Sequence, residues 1–297
     1  MQKGLKTGLG FKLNAQPASL FDKAGLMNSP NKASLADAIF ELSGKLIPSL
    51  PSKDVFYGLD GGDLLNRIGW KKGETIENIC KRYVDFVDGK FDKNVKIVFD
   101  GYPSNPTTKD TTHLKRTKGK QGKLIKFNLQ TTLSMTKEKF LLNKENKHAF
   151  LLILSSYMNS NDIATTHADG DADLMIALTA TEQSLISTVI VIGKDTDLLV
   201  LLIHHYQGNH SLYFTSCQDK KSQDQKIYDI SHIKNSIPAI ITKCILPIHA
   251  FLGCDTVSRI HSIGKGVESL KKVISCKNMQ KCLLAFLPND ANHSRTR

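Results

Sequence analysis

The chain has 297 residues, of which 40% are hydrophobic and 23% are charged, an ordinary composition for a folded globular protein. It contains no run of about 18 apolar residues that would cross a bilayer, and its start lacks the apolar stretch of a secretory signal, so we expect an intracellular protein without a membrane partner. The formal net charge of +12 favours a polyanionic partner such as nucleic acid, because lysine and arginine side chains neutralise phosphates.

Cysteine and histidine patterns argue against several kinds of site. The cysteines lie far apart and form no Cys-x-x-Cys pair, so free thiols are expected rather than structural zinc or a redox dithiol. The chain has no Gly-x-Ser-x-Gly elbow, which argues against a serine nucleophile. The scattered histidines His113, His167, His249 and His261 favour hydrogen-bonding roles over metal ligation.

Residues 1–53 are mixed in character and are predicted to form a partly ordered N-terminal extension. Prolines interrupt any long element there, at Pro17, Pro30, Pro48 and Pro51. One helix is predicted between Ser34 and Leu46. Residues 54–297 are predicted to form a single domain.

Two short apolar segments at the start of this domain each end in an aspartate that a glycine follows. Residues 54–60 are predicted to form a buried strand that ends at Asp60, and residues 95–100 a second strand that ends at Asp100. Apolar residues recur at helical spacing from Thr75 onwards, so a crossover helix connects the two strands. The strands are therefore expected to pair in parallel.

The region after the second strand begins with a polar segment and then returns to regular structure. Residues 103–123 are rich in lysine and are predicted to lie on the surface. Residues 140–158 have the periodicity of a helix, and residues 163–167 are predicted to form another short strand.

Acidic residues mark two further element boundaries. Asp171 and Asp173 open a predicted helix, and the apolar strand at residues 189–192 is followed directly by Asp195 and Asp197. Strands that alternate with helices in this way indicate an α/β fold with a doubly wound, mostly parallel sheet and helices on both faces.

The aspartates at these boundaries are the main candidate site. In open α/β sheets ligands bind outside the carboxyl ends of the strands, so the aspartates should converge in one crevice. This many carboxylates can stay ionised in a small volume only if cations neutralise them. Oxygen ligands without histidine or cysteine favour hard ions such as Mg²⁺ or Mn²⁺. Two ions about 4 Å apart would activate water for phosphodiester hydrolysis. The alternative is that each aspartate only caps a helix or stabilises a turn.

The order of these motifs resembles the flap endonuclease and XPG-type nucleases of the PIN-like superfamily, over roughly residues 54–275. The matching positions are Asp60 in Tyr-Gly-Leu-Asp, Asp100 in Val-Phe-Asp-Gly, the pair Asp171 and Asp173, and the pair Asp195 and Asp197. The resemblance implies a two-metal nuclease with these residues as metal ligands. It adds Asp255, in a Gly-Cys-Asp element, as the last ligand.

The segment that begins at this Gly-Cys-Asp element resembles a helix-two-turn-helix, around residues 253–275. The resemblance implies that Gly264, Lys265 and Gly266 bind a phosphate of duplex DNA. Lys109 and Arg116 lie where the family has a basic gateway that steers the scissile phosphate, so a catalytic role is implied for both. DNA is favoured over RNA as the partner, and the nucleus as the location.

Departures from the family pattern leave a second interpretation open. More than fifty residues precede Asp60, Lys194 stands where an acidic residue is common, and residues 107–123 lack the pattern of a helical arch. The alternative is an inactive PIN-like module that binds nucleic acid or acts as a scaffold. A phosphohydrolase of the haloacid dehalogenase type is disfavoured, because Asp60 and Asp63 have the wrong spacing for its nucleophile loop.

Overall fold

The computed structural model of the chain describes residues 20–21, 27–28, 32–44, 49–91, 94–101, 122–216, 226–254, 257–258 and 266–287. Within these residues, one six-stranded sheet is formed by β1 (Val55–Asp60), β2 (Val95–Phe99), β3 (Ala164–His167), β4 (Thr188–Ile192), β5 (Leu212–Thr215) and β6 (Ile227–Asp229). The strand order is β3-β2-β1-β4-β5-β6, and all neighbours pair in parallel except β5 and β6. The predicted doubly wound, mostly parallel sheet is confirmed.

The helices of the described residues are α1 (Ala33–Leu42), α2 (Gly61–Arg67), α3 (Ile76–Asp88), α4 (Lys137–Leu141), α5 (Lys144–Asn159), α6 (Ala172–Gln183), α7 (Thr196–His205), α8 (Ile230–Ser236), α9 (Ala239–Lys243), α10 (Ile245–Phe251), α11 (Val267–Ser275) and α12 (Lys277–Leu284). The predicted start of α3 is confirmed, since the Thr75 side chain caps it by accepting from the Asn78 amide. In this part of the chain, none of the helices is both long enough and apolar enough to cross a membrane.

The single helix predicted over residues 140–158 is in fact two helices, α4 and α5. The Asn143 side chain accepts hydrogen bonds from the amides of Glu145 and Asn146, at 3.0 Å each, and so caps a new helix there. The apolar periodicity of the sequence continues across this break, because both helices bury side chains in the same cluster. Periodicity therefore gave no sign of the break.

The sheet separates two hydrophobic clusters, and β4 contributes to both. Val189 and Val191 point into the cluster that contains α1, α6 and α7, whereas Ile190 and Ile192 point into the cluster that contains α2, α3 and α5. Both faces of a central parallel strand are covered by helices, which is why this strand is apolar at every position from Val189 to Ile192. Helices therefore cover both faces of the sheet.

Helix α1 packs into the first of these clusters. Leu35, Ala38 and Ile39 are at most 1% exposed, and α1 contacts α7, α8 and α11. The division of the chain at residue 53 stays a prediction, but α1, which lies before that boundary, shares a hydrophobic core with helices that lie after it.

The order of the strands places the crevice of the sheet between β1 and β4. From β1 the chain proceeds to β2 and β3 on one side, and the later strands β4 and β5 lie on the other side. The direction of winding reverses at this point, and in open α/β sheets ligands bind at such a reversal, beyond the carboxyl ends of the strands. The residues that follow β1 and β4 therefore border the crevice, and those that follow β2 lie on the other side of β1.

Buried hydrogen bonds fix the end of α2. The Tyr83 hydroxyl, which is fully buried, donates to the Leu65 carbonyl oxygen at 2.8 Å and accepts from Trp70 Nε1 at 3.0 Å. Lys137 Nζ donates to the same Leu65 carbonyl at 2.5 Å. Because α2 starts directly after β1, these contacts help to hold the end of β1 in place.

Replacing Tyr83 by phenylalanine removes the hydroxyl and keeps the ring. We expect the free energy of unfolding to fall by about 1 to 3 kcal/mol, because Trp70 Nε1 loses its acceptor in a buried place. Urea unfolding followed by circular dichroism measures the change. The matched variant Tyr213→Phe, at a partly exposed position in β5, should change stability by less than about 0.5 kcal/mol. Equal losses in the two variants would contradict the assigned role of the hydroxyl.

Candidate functional site

Aspartates stand at the carboxyl ends of β1, β2 and β4, as predicted. Asp60 ends β1 and accepts from the Gly62 amide at 2.7 Å, Asp100 follows β2 and accepts from the Ala172 amide at 3.1 Å, and Asp195 follows β4 and accepts from the Asp197 amide at 3.0 Å. Asp60 and Asp195 are thus the N-caps of α2 and α7. Both residues therefore have the capping role that is the alternative to metal binding. These caps also hold their carboxylates at the crevice.

Close packing brings the strand ends together. A Cβ atom on Gly61 would lie 2.2 Å from the Phe99 ring, so α2 starts directly against the end of β2. On the other side, a Cβ atom on Gly193 would lie 3.7 Å from Asp60 Cβ. The residues that follow β2 and β4 therefore flank Asp60.

Asp60 lies in an environment that disfavours its charge. Burial raises its pKa to about 6, the amide of Gly62 works in the opposite direction, and the negative charges of Asp100 and Asp63 raise the pKa further. A cation beside Asp60 and Asp100 would offset both burial and repulsion, and an all-oxygen donor set suits a hard ion such as Mg²⁺ or Mn²⁺. The corner formed by these two residues, the Asp60–Asp100 corner, therefore fits the predicted metal.

Asp63 is a residue of this region that was not predicted. Its carboxylate accepts from Arg67 at 2.6 Å, in an ion pair whose side chains are both only 9% exposed, and Lys194 Nζ lies 3.7 Å away. The spacing of four between Asp63 and Arg67 on one helix face is a signal that the sequence does contain. Asp63 is neutralised by these neighbours, whereas Asp60 and Asp100 accept hydrogen bonds from uncharged amides.

The second acidic pair is held by side chains from distant parts of the chain. Lys32 Nζ lies 2.6 Å from Asp197 Oδ2 and 3.5 Å from Asp195 Oδ1, and His249 Nε2 lies 2.7 Å from Asp197 Oδ1. Burial would raise the pKa of Asp197, but the hydrogen bonds from His249 and Lys32 outweigh burial and lower the pKa to about 2. The expected hydrogen-bonding role of His249 is confirmed, while Lys32 was not foreseen.

The start of α6 is attached to the end of β2 by backbone contacts. The Gly101 amide donates to the Gly170 carbonyl oxygen at 2.7 Å, and Asp171 caps α6 by accepting from the Asp173 amide at 3.2 Å. Together with the bond from the Ala172 amide to Asp100, these contacts bring Asp171 to the same edge of the sheet as Asp100.

An open cleft with a volume of 230 Å³ lies beside Asp195. Its walls include Lys194, Lys226 and Tyr228, so two lysines border it. Lys226 also forms a 2.5 Å ion pair with Asp37 of α1. The cleft thus connects the acidic edge of the sheet with α1.

The complete predicted site extends beyond the described residues. Lys109, Arg116, Asp255, Gly264 and Lys265 lie outside them, and Gly266 directly precedes α11. Among the residues that the structure does describe, no three histidine, cysteine, aspartate or glutamate side chains are arranged to hold a metal ion. The seven-aspartate metal centre therefore stays a prediction.

Comparison with known proteins finds similarity in solved structures alone, since no family profile and no curated protein matches the chain. Human GEN1 in complex with Holliday junction DNA is 14% identical, with a TM-score of 0.49 over 84% of this chain and 57% of that one. The catalytic core of Rad2 with DNA substrate is 13% identical, with a TM-score of 0.49 over 80% and 66%. T5 D15 protein co-crystallised with metal ions is 13% identical, with a TM-score of 0.44 over 78% and 84%.

In each of these three comparisons the alignment covers about four fifths of the chain. The chain spans less than two thirds of the GEN1 and Rad2 chains. The activity of this chain therefore has to be derived from its own side chains.

The contact between Gly101 and the start of α6 can be tested by a matched pair of glycine substitutions. A Cβ atom on Gly101 would lie 2.0 Å from the Ala168 carbonyl oxygen, whereas one on Gly170 would meet nothing within 4 Å. We expect Gly101→Ala to lower the free energy of unfolding by roughly 3 kcal/mol and Gly170→Ala to have little effect. Urea unfolding measures both, and a stable Gly101→Ala protein would contradict the packing described.

The charge of Asp60 predicts a dependence of stability on pH. Its pKa is raised, so the metal-free fold loses stability as the pH rises from about 3.8, the ordinary pKa of an aspartate, to about 6, and loses no more above that. Asp60→Asn keeps an N-cap and removes the charge, so it should stabilise the chain at pH 8 by about 2 to 3 kcal/mol and by little at pH 4. Unfolding in chelator at the two pH values measures this, and an equal difference at both would contradict it.

Proposed function

We propose that the chain is a metal-dependent nuclease that hydrolyses phosphodiester bonds of structured nucleic acid, DNA in preference to RNA. The observation that carries the proposal is the Asp60–Asp100 corner. Asp60 ends β1 at the switch point of the sheet, Asp100 follows the neighbouring strand β2, and the charge of Asp100 raises the pKa of Asp60. A site of this kind attracts a hard divalent cation.

The predicted ligands divide into two groups around this edge. In the two-ion arrangement expected from the sequence, Asp60 and Asp100, with Asp171 and Asp173, would hold one ion, and the residues that follow β4, with Asp255, would hold a second. A bound divalent ion lowers the pKa of water and stabilises the leaving oxygen of the phosphodiester. The backbone contacts at Gly101 and the caps of α2 and α6 keep the carboxylates in place for this chemistry.

Basic groups next to the carboxylates would bind the phosphates of the substrate. Lys194 and Lys226 border the 230 Å³ cleft beside Asp195, which supports a path for a phosphate backbone there. Lys109 and Arg116 are proposed to steer the scissile phosphate. Gly264, Lys265 and Gly266 are proposed to bind a phosphate of the duplex, and a nuclear location fits such a substrate.

One observation favours a second candidate function, an inactive module that binds nucleic acid or serves as a scaffold. Asp195 and Asp197 are already ion-paired with Lys32, and Asp197 also forms a hydrogen bond with His249. If side chains were paired with the other carboxylates too, those carboxylates would not bind a metal ion. The chain would then bind nucleic acid without cutting it. Cleavage and binding assays therefore separate the two candidates.

The proposed function predicts cleavage that depends on a divalent metal and on the Asp60–Asp100 corner. Labelled single-stranded, duplex and 5′-flap DNA and matched RNA are incubated with the purified chain in Mg²⁺, Mn²⁺ or chelator. We expect Asp100→Asn to slow cleavage at least roughly 100-fold, since even residues that only orient metal ligands contribute about 10- to 100-fold.

The matched control is Asp88→Asn, at the exposed end of α3, which should cleave like the wild type. Cleavage that persists in chelator, or equal loss in both variants, would contradict the proposal. Binding to every substrate without any cleavage would favour the inactive module.

A further inference from the structure

Lys32 occupies a position between two carboxylates that the sequence assigns to metal. Its Nζ atom lies 2.6 Å from Asp197 Oδ2 and 3.5 Å from Asp195 Oδ1, and its side chain is only 18% exposed. An ammonium group at this point carries positive charge where a second divalent ion would otherwise lie. The lysine therefore supplies from within the chain part of the positive charge that a metal would supply from solution.

The remaining oxygen of Asp197 is engaged as well. His249 Nε2 lies 2.7 Å from Asp197 Oδ1, on the side away from the oxygen that Lys32 contacts. Mg²⁺ requires oxygen ligands in near-ideal octahedral geometry at about 2.0 to 2.1 Å. A carboxylate whose two oxygens both contact side-chain nitrogen atoms does not offer that arrangement.

The position of Lys32 is fixed by the helix that it precedes. Leu35 and Ile39 of α1 are fully buried in the core that also contains α7, the helix capped by Asp195. Asp37 forms an ion pair with Lys226 at 2.5 Å, and the carbonyl of Ser43 lies 2.9 Å from His232 Nε2. Lys32 and the acidic pair therefore lie on elements that pack against each other.

The Asp60–Asp100 corner receives hydrogen bonds from the backbone. Asp60 accepts from the amide of Gly62, and Asp100 accepts from the amide of Ala172. Backbone dipoles thus contact the carboxylates of the corner, and a side-chain cation contacts the acidic pair of Asp195 and Asp197.

We propose that Lys32 replaces the second metal ion, so that the folded chain binds one divalent cation, at the Asp60–Asp100 corner. This inference rests on the proposed function, because it assumes that the corner holds a metal. It makes Lys32 the residue that sets the number of ions at the site and holds Asp195 and Asp197 in their positions.

The test counts bound Mn²⁺ ions per chain, by titration followed with electron paramagnetic resonance and by calorimetry, in the absence of nucleic acid. We expect one ion for the wild type and two for Lys32→Met, which opens the acidic pair. Lys32→Arg keeps a cation and should bind one ion. Adding Asp195→Asn to Lys32→Met should return the number to one.

A stability measurement accompanies the count. Loss of Lys32 leaves Asp195 and Asp197 to repel each other, so Mn²⁺ should raise the melting temperature of Lys32→Met more than that of the wild type. Circular dichroism verifies that the variant is folded, and Lys32→Gln provides a polar replacement if the methionine variant is not.

Two ions in the wild type, or one ion in both the wild type and Lys32→Met, would overturn the role of Lys32 and leave a metal-dependent nuclease standing. No bound ion in any variant would overturn the proposed function together with this inference. The two failures are therefore distinguishable.

Discussion

The accumulation of negative charge at one edge of the sheet is the constraint on which the rest of the site depends. Parallel strands bring their carboxyl ends to the same edge, and this chain places aspartates there after β1, β2 and β4. Backbone amides at helix starts offset some of that charge, Arg67 offsets the charge of Asp63, and Lys32 and His249 offset that of Asp197. At Asp60 burial and repulsion are strong enough to raise the pKa to about 6, which marks the corner where further positive charge is needed.

This distribution gives the N-terminal part of the chain a role in the site. Helix α1 shares a hydrophobic core with α7, and the residue before α1 contacts the acidic pair at the start of α7. A segment interpreted as an extension from its prolines and mixed composition thus provides a side chain at the crevice. The packing of Leu35 and Ile39 makes that contribution a fixed one, because an anchored helix holds its flanking residue within a narrow range of positions.

Much of the fold could be predicted because its signals are local. Strand β4 is apolar from Val189 to Ile192 since helices cover both faces of the sheet, and Thr75 marks the start of α3 because its side chain caps that helix. The break at Asn143 was missed because apolar residues on both sides serve the same cluster. The contacts of Lys32 and His249 with Asp197 could not be predicted, since these residues lie 165 and 52 positions from Asp197 and only the folded chain brings them together.

The Asp60–Asp100 corner and the pair of Asp195 and Asp197 differ in the chemistry that each can perform. A lysine ammonium offsets one of the two negative charges of a carboxylate pair, but it is a compact single charge without open coordination positions for water. A divalent ion supplies those positions and a stronger field. Because Lys32 is proposed to replace the second ion, the attacking water would be activated at the Asp60–Asp100 corner. Lys194 and Lys226, which border the cleft beside Asp195, then serve to orient the phosphate, while Lys32 holds Asp195 and Asp197 in place.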